Sequence, residues 1–347
     1  MPDLNYRSAA ASEAMLNVVD FWVGKGSDGA AALGADGYRL DAIRHLVEDG
    51  QVQENTPETH AWLRTMRTRL KAANPEAMSI GEVWTESMIA SSYVGNELDM
   101  TFEFELASAI VEAARTGKAD KVITAQERVL ACYPPNQYGR FLTNHDQTRV
   151  LTQLKGDAGA MRSAAAMLLL GPGVPFIYYG EEIGMTGDKP DENLRTPMQW
   201  SAGAAAGFTT GTAWEAAHKD RASANVEQES GEEGSLLSWY RKLIRVRGEY
   251  AALSSGGFEP VESGNPGVYA FMRTGQTPEV HPVVVVINLT SAAVSEYALR
   301  VPTMGKGTWT AREVLHGAKT NPTGGKPVGV LEAHEAYVLG MVPAKDE

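Results

Sequence analysis

The chain has 347 residues, 43% of them hydrophobic and 21% charged, with a net charge of −12. This composition suits a globular protein with a sizeable core and room for two domains. The acidic balance repels phosphate backbones and argues against nucleic acid as a partner, and no apolar run reaches membrane-spanning length, candidates such as Ala164–Leu170 and Val283–Ile287 being far too short.

The opening, Met1-Pro2-Asp3-Leu4-Asn5-Tyr6, holds turn formers and lacks the basic-then-apolar order of a secretory signal. A helical pattern starts near Ser8. Over Glu13–Val23 it puts Met15, Val18, Val19, Trp22 and Val23 on one stripe, with Gly24 and Gly26 as its stop. GYRLDA (Gly37–Ala42) predicts a strand. Ala61–Ala73 predicts a second helix, broken by Asn74-Pro75, before a strand in MSIGEVW (Met78–Trp84). A third strand is expected in Leu98–Phe104, then mostly helix over Leu106–Ala131. There the lone cysteine, Cys132, is expected as a small buried apolar residue; it can form neither an internal disulfide nor a cysteine-rich zinc site. YGRFLTNHD (Tyr138–Asp146) is the fourth strand, Ala158–Leu170 a helix, and PFIYYGEE (Pro175–Glu182) the fifth strand. A long polar loop, Gly187–Asn225, carries RTPMQW (Arg195–Trp200), and a helix follows at Ser235–Arg247.

Strands alternating with helices predict a parallel sheet with crossover helices. After about Ala252 the pattern changes to short β-branched and aromatic runs: VYAFMRT, PVVVVINLT, EYALRVP, GTWTAREVL and GVLEAHEAYVLGMV. That predicts an antiparallel sandwich beyond a boundary near Ser254–Gly257. Asn288-Leu289-Thr290 fits a glycosylation triplet of the kind that arises often by chance.

Three of the predicted strands end in ionisable groups: Arg39 and Asp41, Glu82, and His145 with Asp146. In parallel α/β folds catalytic groups gather where strands end. Three acids there suit glycosidic bond cleavage, which needs one protonated acid for the leaving oxygen and one carboxylate across the sugar ring. Arg39 and Asp41 share a strand face by their i, i+2 spacing, so the guanidinium can keep Asp41 ionised. Val83 and Trp84 can give Glu82 an apolar wall. Asp41 is thus the candidate nucleophile and Glu82 the candidate acid/base; read alone, a single Asp at a strand end is more often a helix cap than a catalyst, and Arg39–Asp41 is equally a structural ion pair.

Gly37–His45 (GYRLDAIRH), Gly81–Trp84 (GEVW) and Phe141–Asp146 (FLTNHD) resemble, in order, three signature segments of the α-amylase family, glycoside hydrolase family 13. Pro175–Met185 is similar to the family's eighth-strand segment. RTPMQW resembles a stretch of its oligo-1,6-glucosidase, α-glucosidase and related α-amylase branches, and MPDLN (Met1–Asn5) a motif near the end of domain B. The resemblance spans nearly the whole chain. It implies a TIM-type (β/α)8 barrel, here incomplete, with counterparts of strands four to eight in residues 1–254 and a C-terminal antiparallel β-sandwich in residues 255–347. It implies Asp41 as nucleophile of a retaining double displacement, Glu82 as general acid/base and Asp146 as the third acid. Arg39, His145 and His45 are its implied substrate-binding residues.

The resemblance also implies a substrate among maltooligosaccharides, starch or related α-glucosides. The family's first signature segment and its domain B acid have no counterpart in these 347 residues, so neither a calcium site nor another cofactor is expected. Five strands taken from a barrel leave open edges, and self-association through the open side is expected. The alternative reading is an incomplete, inactive chain that binds sugar weakly.

Overall fold

The computed structural model describes residues 4–23, 34–302, 309–317, 320 and 326–343. The expected helix stop at Gly24 and Gly26, the first three residues of MPDLN and the first two of GTWTAREVL lie outside them. The chain divides into two compact units: Met1–Glu105 with Arg128–Gly139, and Leu106–Glu127 with Arg140–Glu347.

The first unit runs α1 (Ala9–Val23), β1 (Gly37–Leu40), a 3-10 turn at Ile43–His45, α2 (Pro57–Ala73), β2 (Met78–Gly81), α3 (Ser87–Ser91) and β3 (Met100–Phe102). α2 starts where it does because Thr56 caps it, its hydroxyl accepting the Thr59 amide at 3.2 Å, with Pro57 in the first turn. Leu63, Met66 and Leu70 form its buried face. Arg69 reaches across to Asp20 of α1 at 2.6 Å, and Trp62 donates to Ser12 at 2.8 Å. The buried stripe of α1 is Leu16, Val19 and Val23; Val18 and Trp22, expected on it, are exposed. Those apolar residues cover more than one helix face, so periodicity alone did not choose between the faces.

β1 and β2 pair in parallel, with Arg39 opposite Ile80 and Leu40 opposite Gly81. Gly37 lets them meet, and Gly81 makes room for neighbouring side chains. A Cβ on Gly37 would sit 2.0 Å from the Met78 carbonyl oxygen, and one on Gly81 would strike the side chains of Leu98 and Ile43 at 2.5 and 2.6 Å. β3 pairs in parallel with β2 and with β4 (Tyr138–Arg140).

The intervening helical stretch is two helices, α4 (Phe104–Thr116) and α5 (Asp120–Cys132), separated at Gly117 with φ +67°. Cys132, at the end of α5, is partly exposed rather than buried. In the second unit follow α6 (Val150–Gln153), α7 (Ala158–Leu170) and β5 (Val174–Pro175). The sheet order is β1-β2-β3-β4-β5, the order expected. α7 is buried almost all round, and Arg247 gathers the carbonyls of Leu169, Gly171 and Gly173 at its end.

Then come α8 (Asp191–Leu194), α9 (Val226–Ser230), α10 (Leu236–Glu249) and α11 (Ala251–Ser255). They are followed by β6 (Glu259–Pro260), β7 (Val268–Arg273), β8 (Val283–Asn288), β9 (Trp309–Glu313) and β10 (Ala336–Pro343). These five strands form a separate antiparallel sheet in the order β6-β7-β8-β10-β9. Tyr297, Leu299, Val328 and Leu331 join its core. The run EYALRVP, expected as a strand, forms only the bridge Glu262–Arg300, so among the described residues the opposing layer is bridges rather than a second sheet. Asn288 of the glycosylation triplet is fully buried, its amide donating to the carbonyls of Ala292, Leu331 and Glu332, which leaves no room for a glycan. No helix among the described residues is long and apolar enough to cross a membrane.

Candidate active site

The end of β1 gathers the first set of predicted residues. Arg39 leaves the strand with one guanidinium nitrogen on Asp41 and the other 3.0 Å from Glu82 Oε2. The backbone then turns through Ala42 in the left-handed region (φ 43°), a conformation that costs a non-glycine residue about 1 kcal/mol or more. This turn aims the Ala42 amide at Glu82 Oε2, 3.1 Å away. Glu82 is fixed at its other end by its own backbone: its amide donates to Leu40 at 2.8 Å and its carbonyl accepts from Ile43 at 3.3 Å. The Glu82 side chain is buried, whereas that of Asp41 is 73% exposed.

The apolar wall expected around Glu82 differs in detail. Val83 is buried, but Trp84 is half exposed and stacks on Phe104 with centroids 4.8 Å apart. Polar donors, Arg39 and the Ala42 amide, are what Glu82 Oε2 meets. His45 has both ring nitrogens engaged: Nδ1 lies 3.0 Å from the Gln53 carbonyl, and Nε2 accepts from Arg44 Nε at 3.1 Å. In this state it ties down the loop that follows the 3-10 turn.

The second set lies in the other unit, on the loop after β4. Asn144 accepts the Asp146 amide at 2.9 Å and so shapes the turn that presents Asp146. His145 Nε2 stands 3.3 Å from Asp146 Oδ2. Arg195 donates to Asp146 Oδ1 at 2.7 Å and to the His145 carbonyl at 3.1 Å, and is itself 3.2 Å from Asp191. The structure thus brings Arg39, Asp41 and Glu82 together, and separately His145 and Asp146. Among the described residues no three His, Cys, Asp or Glu side chains group as metal ligands would.

The family described as "Alpha amylase, catalytic domain" matches residues 1–256. The chain belongs to the alpha-amylase family. It is 32% identical over 326 residues to a trehalose synthase/amylase of Mycolicibacterium smegmatis, covering 78% of this chain and 53% of that protein. A probable oligo-1,6-glucosidase of Bacillus subtilis is 28% identical, with 78% and 59% covered. Against these curated relatives the chain spans little more than half their length. The crystal structure of the alpha-amylase from H. orenii superposes with a TM-score of 0.79 at 30% identity, covering 99% of this chain and 66% of that one.

In this alpha-amylase family chain, Arg195 is the site residue that sequence reasoning missed. It is the first residue of RTPMQW, a motif noticed but given no role. The signal was therefore present, but its contact with Asp146 spans 49 positions and needs the folded loop.

Proposed function

We propose that the chain is the catalytic portion of a retaining α-glucoside hydrolase acting on maltooligosaccharides, starch or related α-glucosides. Residues 1–254 serve as the partial barrel and residues 255–347 as a C-terminal β-sandwich domain. One observation carries the reading: a single guanidinium, Arg39, holds both Asp41 and Glu82. Two carboxylates bridged in this way stay close, as suits the retaining geometry, where they stand about 5 Å apart, rather than the wider inverting one. The names of the relatives, a trehalose synthase/amylase and a probable oligo-1,6-glucosidase, support an α-glucosidic substrate.

In this reading Asp41 attacks the anomeric carbon while Glu82 gives its proton to the leaving oxygen. Glu82, now a carboxylate, takes a proton from water, which attacks the glycosyl–Asp41 ester and releases sugar with its configuration retained. Asp146, steadied by Arg195 and His145, accepts hydrogen bonds from sugar hydroxyls. A second reading, an impaired chain with weak sugar binding, draws on the exposure of Asp41: a carboxylate 73% open to water gains little from a dry site.

Hydrolysis of maltotriose, soluble starch and a chromogenic α-glucoside, with Asp41→Asn run in parallel, separates the two. Sugar release that the substitution abolishes is expected. Absence of release from folded wild-type protein sinks the first reading.

A further inference from the structure

Arg149 is a buried cation with no carboxylate clamp. It directly precedes α6, a short step in sequence beyond Asp146, and is 1% exposed. A guanidinium taken out of water needs compensation. Among the described residues only Nη1 finds an acceptor, the Tyr179 carbonyl at 2.8 Å; Nε and Nη2 are buried with none. What the cation meets instead is two aromatic faces: its Cζ stands 4.6 Å from the ring centroid of Tyr178 and 4.8 Å from that of Tyr179. Such contact is strongest where water is excluded. The Arg149 amide also donates to the Gly187 carbonyl at 3.0 Å, so backbone, guanidinium and both rings form one block behind β5.

The rings carry that block to the loop beyond. Tyr178 donates its hydroxyl to the Leu194 carbonyl at 2.9 Å, and Tyr179 donates to the Thr196 carbonyl at 2.7 Å. The residue between those two carbonyls is Arg195. The rings meet edge to face with centroids 4.9 Å apart, so neither turns without the other. Burial raises the Tyr178 hydroxyl above its ordinary value, and it stays a donor. Arg195, ending α8, gives Nε to the His145 carbonyl and Nη2 to Asp146. Its side chain is long and 38% exposed, and such a group meets one carboxylate reliably only from a backbone that is itself locked.

We propose that Tyr178 and Tyr179, mounted on the buried Arg149, are positioning residues: they bracket Arg195 and hold its guanidinium where it meets Asp146. They act on Asp146 only through Arg195. Their effect on turnover rests on the function proposed above, in which Asp146 grips sugar hydroxyls; their hold on Arg195 does not.

The test is a double-mutant cycle in the full chain, with maltotriose as substrate. Tyr178→Phe and Tyr179→Phe each delete one oxygen and keep the ring on Arg149, so the fold stands. Each is expected to raise KM roughly twofold and the pair about fourfold, with kcat little changed. In an Arg195→Ala background the same substitutions are expected to add nothing, because the group they position is gone. A merely structural role would persist there. Arg149→Lys, which keeps the charge and loses the flat face, is expected to match the pair; if that variant does not fold, the phenylalanine pair decides. A readout without turnover is the Arg195 Nε–H resonance, identified in ¹⁵N spectra by its loss in Arg195→Ala. Its exchange with water is expected to quicken about fourfold in the phenylalanine pair. Unchanged exchange overturns the proposal. So does a wild-type KM for the pair, or a KM effect that survives in full without Arg195. Folded wild-type protein that releases no sugar sinks the hydrolase reading, and the exchange measurement then decides the positioning alone.

Discussion

In the first unit, the guanidinium that steadies Asp41 sits two residues upstream on β1, and its other arm crosses to Glu82 just past the end of β2. In the second, Asp146 is held by Arg195, 49 residues downstream on a surface loop, with His145 3.3 Å away on the other oxygen. One clamp is set by strand geometry and the other by a folded loop. A clamp on paired strands is fixed by the sheet and by Gly37, which lets the strands meet. A clamp on a loop depends instead on the loop keeping its fold, even though Asp146, 33% exposed, is less open to water than Asp41 at 73%. The first arrangement suits groups that form and break bonds, the second a group that grips and releases sugar hydroxyls.

The largest expected break of this comparison is Arg39→Ala. It removes the partner that Asp41 and the buried Glu82 share. Losing one side of such a contact costs about 3 kcal/mol, a drop of roughly 10²-fold in kcat/KM. Arg39→Lys is expected to recover only part of it, since an ammonium lacks the planar fork that meets two carboxylates at once. Steady-state kinetics on maltotriose reads both; equal rates for Arg39→Lys and wild type would show that charge alone, not bridging, is at work.

Glu181 sharpens the comparison as an acid with no such clamp. It is fully buried, takes a hydrogen bond from the Tyr240 hydroxyl at 3.1 Å and keeps Oε2 unpaired. Burial raises its carboxyl to about 8. Between its unfolded and folded values the native chain holds a proton that the unfolded chain has lost. Its contribution is therefore fully present below the unfolded value and lost as pH rises towards 8. The slope is at most about 1.4 kcal/mol per pH unit, roughly between pH 5 and pH 7. Urea midpoints across that window are expected to fall with rising pH, and to fall less steeply in Glu181→Gln. The same slope in both proteins would remove Glu181 as the cause.

The two clamps also differ in how far they could be read from sequence. GYRLDA carries half of the first: the i, i+2 rule pairs Arg39 with Asp41, whereas the reach of Arg39 to Glu82 needs the paired strands. The order of five strands and the antiparallel C-terminal sheet were legible for the same reason, since each is a local pattern repeated. Three things were not. The buried face of α1 was hidden because its apolar residues wrap around the helix, leaving tertiary packing to choose Leu16 over Val18 and Trp22. The surroundings of Glu82 were misjudged because adjacent Trp84 turns to stack on Phe104. Arg195 was visible as a motif but not as a partner, because no local rule links residue 195 to residue 146.

The smallest expected effect belongs to that long-range clamp. Arg195→Ala leaves Asp146 with His145 beside it and with a third of its side chain already in water. A partly exposed pair of this kind is worth about 1 kcal/mol, so the substitution is expected to raise KM roughly fivefold with little change in kcat. Salt provides a second axis. Screening acts on solvated charges more than on buried ones, so KM of the wild type is expected to climb with ionic strength and that of Arg195→Ala to climb less. Maltotriose kinetics over a salt series tests this directly. If Arg195→Ala instead lowers kcat as far as Arg39→Ala does, the loop clamp acts on the bond-breaking step, and the division between a rigid chemical end and a looser gripping end does not hold.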